Sequence, residues 1–228
     1  MISANHLKKV YQTGEIRQEV IKDLSLEISE GEFISLVGPS GSGKSTVLNM
    51  LGCLDTPTNG EITINGSPIT GMSRTKMANF RGENIGFIFQ SFNLIPVLSV
   101  YENIEYPLLM IQNLPEEERK SRVLTLLEEV GMLDHKDKTP DKISGGQMQR
   151  VAIARALVTN PKIVFADEPT ANLDTKTAHM IIELMKKIQR EHQTTFVFAT
   201  HDEKIVSNVD RLITLVDGEI VADQRMNK

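Results

Sequence analysis

The chain has 228 residues, 40% of them hydrophobic, with 25 Lys and Arg against 30 Asp and Glu for a formal net charge of −5. That length allows one or two domains with a buried core, no apolar run approaches the ~18 residues needed to cross a bilayer, and the acidic balance gives no support for a nucleic-acid surface. A single cysteine, Cys53, excludes an internal disulfide, and residues 1–9 lack both a secretory apolar stretch and a Met-Gly start, so the expected compartment is the cytosol.

In chain order, Leu24 to Ile28 alternates apolar and polar residues, which predicts a half-buried strand. Phe33 to Val37 is a continuous apolar strand. It leads into Gly38-Pro39-Ser40-Gly41-Ser42-Gly43-Lys44-Ser45, the G-x-x-x-x-G-K-S pattern of a phosphate-binding loop, with Thr46 continuing into a helix. Glycines at 38, 41 and 43 let the backbone fold tightly with its N–H groups inward, and the helix beginning near Gly43 adds the positive end of its dipole. Lys44 is expected to reach the β- and γ-phosphates of ATP, and the Ser45 hydroxyl to ligate Mg²⁺. Cys53, in the helix after the loop, reads as packing. Glu61 to Ile64 followed by Asn65-Gly66 predicts a hairpin, hence an antiparallel sheet beside the nucleotide core.

The strand Ile85 to Phe89 closes at Gln90, and helical signals follow from residue 92 to 158. Ser99 with Glu102 forms a capping box, Pro115 before three glutamates opens a helix, and Gly131 can close it. Ile143-Ser144-Gly145-Gly146-Gln147 precedes the helical run Met148 to Val158, so the serine and glycines occupy a helix N-terminus with free N–H groups, a second anion site. One chain cannot easily wrap both anion sites around one ATP; two chains arranged head to tail can. After the break at Asn160-Pro161, an apolar strand ends in Asp167-Glu168. Ligand groups gather at the carboxyl ends of strands in parallel sheets. Asp167 is therefore placed to hold Mg²⁺ directly or through its water, and Glu168 to polarise the water that attacks the γ-phosphate. Ala178, Ile181, Ile182, Met185 and Ile188 form one apolar stripe, read as core. The strand Thr195 to Ala199 precedes His201, and the polar tail Asp223 to Lys228 is expected to fray.

Taken together these elements resemble the ATP-binding-cassette ATPases along nearly the whole chain. The resemblance implies an α/β fold: a P-loop NTPase, RecA-like core with an antiparallel β subdomain and an inserted helical subdomain. It forms a single domain over residues 1–228, with the core in 1–91 and 159–228 and the helical signature part in 92–158. It implies that Tyr11 stacks on adenine, that Gln90 touches Mg²⁺ and the attacking water, and that His201 is the switch histidine on the γ-phosphate. Ser144 and Gly146, within the signature Ser144-Gly145-Gly146-Gln147, would contact the γ-phosphate held by the opposite subunit, and Asp174 lies in the loop Asn172-Leu173-Asp174 that crosses the dimer interface. The implied catalytic set is Glu168, His201, Gln90 and Lys44. Alone, a Tyr, Gln or His of this kind reads as ordinary packing or surface; the order of six such elements carries the resemblance. Departures are small: Ile143 for leucine, Met148 for glutamine and Ala171 for glycine, none removing a phosphate contact.

Leu51 to Gly60, Gly86 to Pro96 and Glu102 to Leu109 resemble the subfamily of macrolide and antimicrobial-peptide exporters and lipoprotein-releasing ATPases. That implies an integral membrane permease subunit and a second copy of the chain as partners, no direct cargo binding, no nucleic acid, and a cytoplasmic place, peripheral on the inner face of the cell membrane. A solute importer, or a non-transport complex that activates a cell-wall hydrolase, are the alternatives. A chromosome-maintenance ATPase would separate loop and signature by a long coiled coil, but Ser144 is only 100 positions after Lys44, without sustained heptads. Ser91 to Val100 is more apolar than a connection requires, and the part not packing the helices is expected to wall a groove for a membrane-subunit helix, with Glu102 and Glu105 offering charge.

Overall fold

The computed structural model describes residues 1–200 and 203–226. The chain opens with a long hairpin, β1 (Ile2–Thr13) and β2 (Ile16–Ile28), followed by β3 (Phe33–Val37) and helix α1 (Lys44–Leu51). A second hairpin, β4 (Asn59–Ile64) and β5 (Ser67–Pro68), precedes α2 (Arg74–Asn84) and β6 (Ile85–Ile88). Three helices come next: α3 (Val100–Ile111), α4 (Glu116–Glu129) and α5 (Gly145–Leu157). The chain then runs through β7 (Ile163–Asp167), α6 (Thr175–His192), β8 (Thr195–Ala199), α7 (Glu203–Val206), β9 (Arg211–Val216) and β10 (Glu219–Arg225).

These strands form two sheets. The antiparallel sheet has the order β2-β1-β4-β5, and the larger sheet the order β10-β9-β3-β8-β7-β6. Within the larger sheet β9, β3, β8, β7 and β6 pair in parallel, and only β10 runs against its neighbour. The turn between β4 and β5 has both Asn65 (φ 50°) and Gly66 (φ 76°) in the left-handed region, the combination that a two-residue hairpin requires.

Parallel strands covered on both faces are apolar throughout, and the alternation here divides two cores. Phe33, Val164, Ala166, Phe196 and Phe198 point to one face, where they share a core with α3, α4, α5 and α6. Ile34, Leu36, Phe165, Val197 and Ala199 point to the other, where α1 and the antiparallel sheet cover them. The expected stripe of α6 is indeed buried on the first face. The helix signals hold as well: Ser99 and Glu102 make a reciprocal capping box on α3, and Pro115 followed by Glu116, Glu117 and Glu118 opens α4.

The carboxy-terminal expectation needs correction. Residues 223–225 are not frayed but form the end of β10, because Asp223 accepts two bonds from the Arg211 guanidinium, at 2.7 and 2.6 Å, across the hairpin. Arg211 in turn reaches Glu32 (3.3 Å) and the Glu27 carbonyl (2.8 Å), tying the last hairpin to the turn before β3. Nothing local in a polar tail announces such a partner.

Candidate nucleotide site

The phosphate-binding loop sits between β3 and α1, at the carboxyl end of a strand in the middle of the parallel sheet. Gly43 caps α1 at φ 101°, and Gly41 lies at φ 82°. Gly38 is required for a second reason: a Cβ there would overlap the Leu215 carbonyl of β9. Lys44 folds back so that its ammonium donates to the carbonyls of Gly38 (2.8 Å) and Pro39 (2.9 Å). The lysine is thereby held over the loop where phosphate oxygens would meet it.

A cleft of about 1010 Å³ opens above the loop. Pro39, Ser40, Gly41, Lys44, Ser45 and Thr46 form its floor, and Gln90 and Glu168 close one side. Ser45 Oγ donates to Asp167 Oδ1 at 3.0 Å, which brings together two oxygens 122 residues apart. Burial pushes the Asp167 carboxyl above the ordinary carboxylate range and the neighbouring Glu168 charge adds to this, while the Ser45 bond and Lys44 oppose it. A paired hydroxyl and carboxylate of this kind are hard oxygen donors, few in number, with the hydroxyl lining the cleft and the carboxylate bonded to it, and they suit Mg²⁺, which keeps several of its waters.

Glu168 follows β7 with φ 46°, a left-handed conformation that costs a side-chain-bearing residue about 1 kcal/mol or more. Its backbone N–H donates to Ala199 O at 2.9 Å, and its carboxylate accepts from Thr200 Oγ1 at 2.9 Å. The turn thus swings the carboxylate away from the strand direction and into the cleft. Gln90 is reached from the loop before α6, since Asn172 Nδ2 donates to its carbonyl at 2.9 Å.

Other expected residues lie elsewhere. Ser42 is buried and does not line the cleft. Ser144 caps α5, its hydroxyl accepting from Gln147 N at 3.3 Å while Gln147 Oε1 accepts from Ser144 N at 2.8 Å. Gly146 packs so closely on α6 that a Cβ would strike the Thr177 methyl, whereas Gly145 has room. Asp174 caps α6 through bonds from Lys176 N and Thr177 N, both 3.1 Å, and these hold its carboxyl below the usual range. Ser144, Gly145, Gly146, Gln147 and Asp174 do not line the cleft. Tyr11 stands at the cleft margin, paired across the hairpin with Gln18, which does line it. His201 lies outside the described residues.

Sequence reasoning passed over the far wall of the cleft, made by Gln18, Glu19, Val20 and Lys22 of β2 and by Asp217. Only the Asp217-Gly218 dipeptide, a turn signal, pointed there. A groove of about 280 Å³ lies between α2, β6, α3 and α5, with Phe87, Phe89, Pro107, Ile111 and Arg155 among its walls; of residues 91–100 only Asn93 lines it, although Val97 in the same stretch is exposed. Glu102 accepts from Ser99 N at 2.7 Å and Glu105 from Arg119 Nε at 3.0 Å, so each carboxylate already holds one partner within the helical part.

A phosphate loop opening a helix at the end of a parallel strand, with a Ser–Asp oxygen pair and a second carboxylate facing the same cleft, defines a P-loop nucleotide-binding protein. Comparison with known proteins narrows this. The ABC transporter family matches residues 21–171, and the chain belongs to that family of ATP-binding proteins. It is 44% identical over 232 residues to the uncharacterized ABC transporter ATP-binding protein MJ0796 of Methanocaldococcus jannaschii, covering 99% of this chain and 97% of that one. It is 40% identical over 222 residues to the lipoprotein-releasing system ATP-binding protein LolD of Bordetella pertussis, covering 97% and 96%. A dimeric structure of MJ0796 in a post-hydrolysis state bound to ADP and Pi superimposes with a TM-score of 0.91 at 42% identity, with 100% of both chains covered. Among the described residues no helix is long and apolar enough to cross a membrane.

Proposed function

We propose that this chain is the ATP-hydrolysing subunit of an ABC exporter or mechanotransmission complex, acting as a head-to-tail dimer on the inner face of the cell membrane. One observation carries the reading: Lys44, Ser45, Asp167 and Glu168 converge at one cleft, while the serine-capped α5 terminus lies outside it. A second copy turned head to tail brings its own Ser144 and Gly146 to the open side of that cleft. The lipoprotein-releasing relative and the dimeric cassette bound to ADP and Pi support this choice.

In the proposed cycle Lys44 leaves the loop carbonyls for the β- and γ-phosphates, and the inward N–H groups of the loop hold the remaining oxygens. Magnesium bound by Ser45 and Asp167, with Gln90 beside them, would neutralise charge on those oxygens. Glu168 accepts a proton from the attacking water, and Gln90 and His201 orient the γ-phosphate and that water. Tyr11 receives the adenine ring. The helical part, residues 92–158, turns against the core of 1–91 and 159–228 as the dimer closes, and the groove around Phe89 and Ile111 seats a cytoplasmic helix of the permease subunit. The chain itself touches no cargo.

Mixing two inactive chains tests the shared site. Lys44→Ala removes the phosphate cation, and Ser144→Arg blocks closure at the cost of a cap worth about 1 kcal/mol. A mixed dimer has one site with both groups intact and one with both lost, so activity should return to as much as about half. Full activity of either variant alone refutes the shared site.

A further inference from the structure

We infer that Asp55 and Lys9 build a pre-set platform that fixes the Tyr11 ring for a purine base and ties it to the phosphate loop. This rests on the reading of Tyr11 as the base-stacking residue. Asp55 lies just beyond α1, the helix that the phosphate loop opens, whereas Lys9 and Tyr11 lie on β1. The Asp55 carboxylate is the hub of three short bonds: from Lys9 Nζ at 2.6 Å, from the Tyr11 hydroxyl at 2.7 Å, and from the Thr56 backbone N–H at 2.7 Å. Lys9 also donates to the Thr56 carbonyl at 2.7 Å, so it is pinned at two points.

The ammonium of Lys9 then lies 4.7 Å from the centre of the Tyr11 ring. Lys9 is 8% exposed while Tyr11 is 40% exposed, so a buried cation sits against a ring residue that keeps part of its surface open. Thr46, on α1 and in the cleft floor, also interacts with the phenol. Burial raises the phenol pKa and the Asp55 bond raises it further. At Asp55 burial alone would act in the same upward direction, yet the bonds from Lys9, Tyr11 and Thr56 outweigh it and keep the carboxyl below its ordinary value. The hub is therefore charged and fully engaged at neutral pH.

The consequence is geometric. A tyrosine on a hairpin can swing about its χ angles, and a base stacking on it would have to order it first. Here the hydroxyl is held by a residue that follows the phosphate-loop helix, so ring and loop keep a set separation. A nucleotide whose phosphates occupy the loop meets a ring already in place, which lowers the ordering loss on binding.

The experiment compares equilibrium binding of ATP, without magnesium, with that of inorganic tripolyphosphate, which has no base. Tyr11→Ala should weaken ATP by about tenfold or more, the scale of one base stack. Tyr11→Phe keeps the ring and loses the tether, and Asp55→Asn loses the charged hub; each should weaken ATP by about three- to tenfold, the range of one ordinary hydrogen bond's net contribution. The double variant should be no weaker than the poorer single one, and tripolyphosphate binding should stay at the wild-type level throughout. Wild-type ATP affinity in Tyr11→Phe and Asp55→Asn beside a weak Tyr11→Ala overturns the platform and leaves the base reading standing. Wild-type affinity in Tyr11→Ala removes the base reading as well. If Asp55→Asn loses tripolyphosphate too, its effect is on the fold, and Tyr11→Phe alone decides.

Discussion

Replacing Glu168 with glutamine separates the chemistry of the site from its construction. The Glu168 carboxylate accepts a bond from Thr200 Oγ1 at 2.9 Å, and an amide oxygen can accept that bond equally well. The fold should therefore change by less than about 1 kcal/mol, as for a surface-adjacent isosteric exchange. What the amide cannot do is accept a proton from water. Losing a general base slows reaction by about 10²-fold or more, which corresponds to about 2.7 kcal/mol on the barrier. Glu168→Gly adds a control from the backbone: at φ 46° glycine relieves strain of about 1 kcal/mol, which offsets part of the cost of losing the Thr200 acceptor and of a more flexible unfolded chain, so this variant should melt close to Glu168→Gln while hydrolysing as poorly. Single-turnover hydrolysis of saturating Mg-ATP, run beside thermal melts, measures both. Turnover of Glu168→Gln within tenfold of wild type would refute the assignment of Glu168 as base. Slow turnover accompanied by a large loss of melting temperature would show that the effect was structural.

Other outcomes follow from the same geometry. Because burial raises the folded-state pKa of Asp167, its ionised form opposes folding; its favourable contribution exists only below the ordinary carboxylate range and is lost as pH rises through the raised value. Asp167→Asn should accordingly raise the melting temperature of the nucleotide-free chain at neutral pH, with little gain near pH ~4, and abolish magnesium-dependent hydrolysis. Asn103 is 1% exposed and anchors the segment after Gln90, accepting from Ile95 N at 2.7 Å and donating to the carbonyls of Ile95, Leu98 and Ser99. Asn103→Ala should cost about 3 kcal/mol in chemical denaturation, since it orphans several buried groups, and a loss below about 1 kcal/mol would contradict that anchoring. Ile111→Glu, in the groove wall, should abolish copurification with a membrane subunit while the isolated chain keeps its ATPase, whereas Leu98→Glu, outside the groove, should not; the reverse pattern would return the docking site to the 91–100 segment.

The residues of the phosphate-loop pattern were legible because their signal is local. A loop that must curl around an anion needs glycines at set positions and a lysine and hydroxyl at the start of the following helix, so Gly38 to Thr46 announced itself within nine residues. Capping boxes at Ser99 and Ser144 and the hairpin at Asn65-Gly66 were readable for the same reason, since each closes within four residues of chain. Strand order was not local, and only the packed sheet decided that Asp167 stands 3.0 Å from Ser45 and that β2 supplies the far wall of the cleft. The Arg119 partner of Glu105 was not legible, because it is fixed only once α3 and α4 are packed, and neither was the groove between α2, β6, α3 and α5, whose walls come from four separate elements. The tail was misjudged because Arg211, which holds Asp223, sits on the neighbouring strand. Local sequence determines turns, caps and anion-binding backbone because these depend on φ, ψ and near-neighbour hydrogen bonds. Tertiary structure alone decides which distant side chains share a cleft, since that depends on burying two faces of one sheet at once.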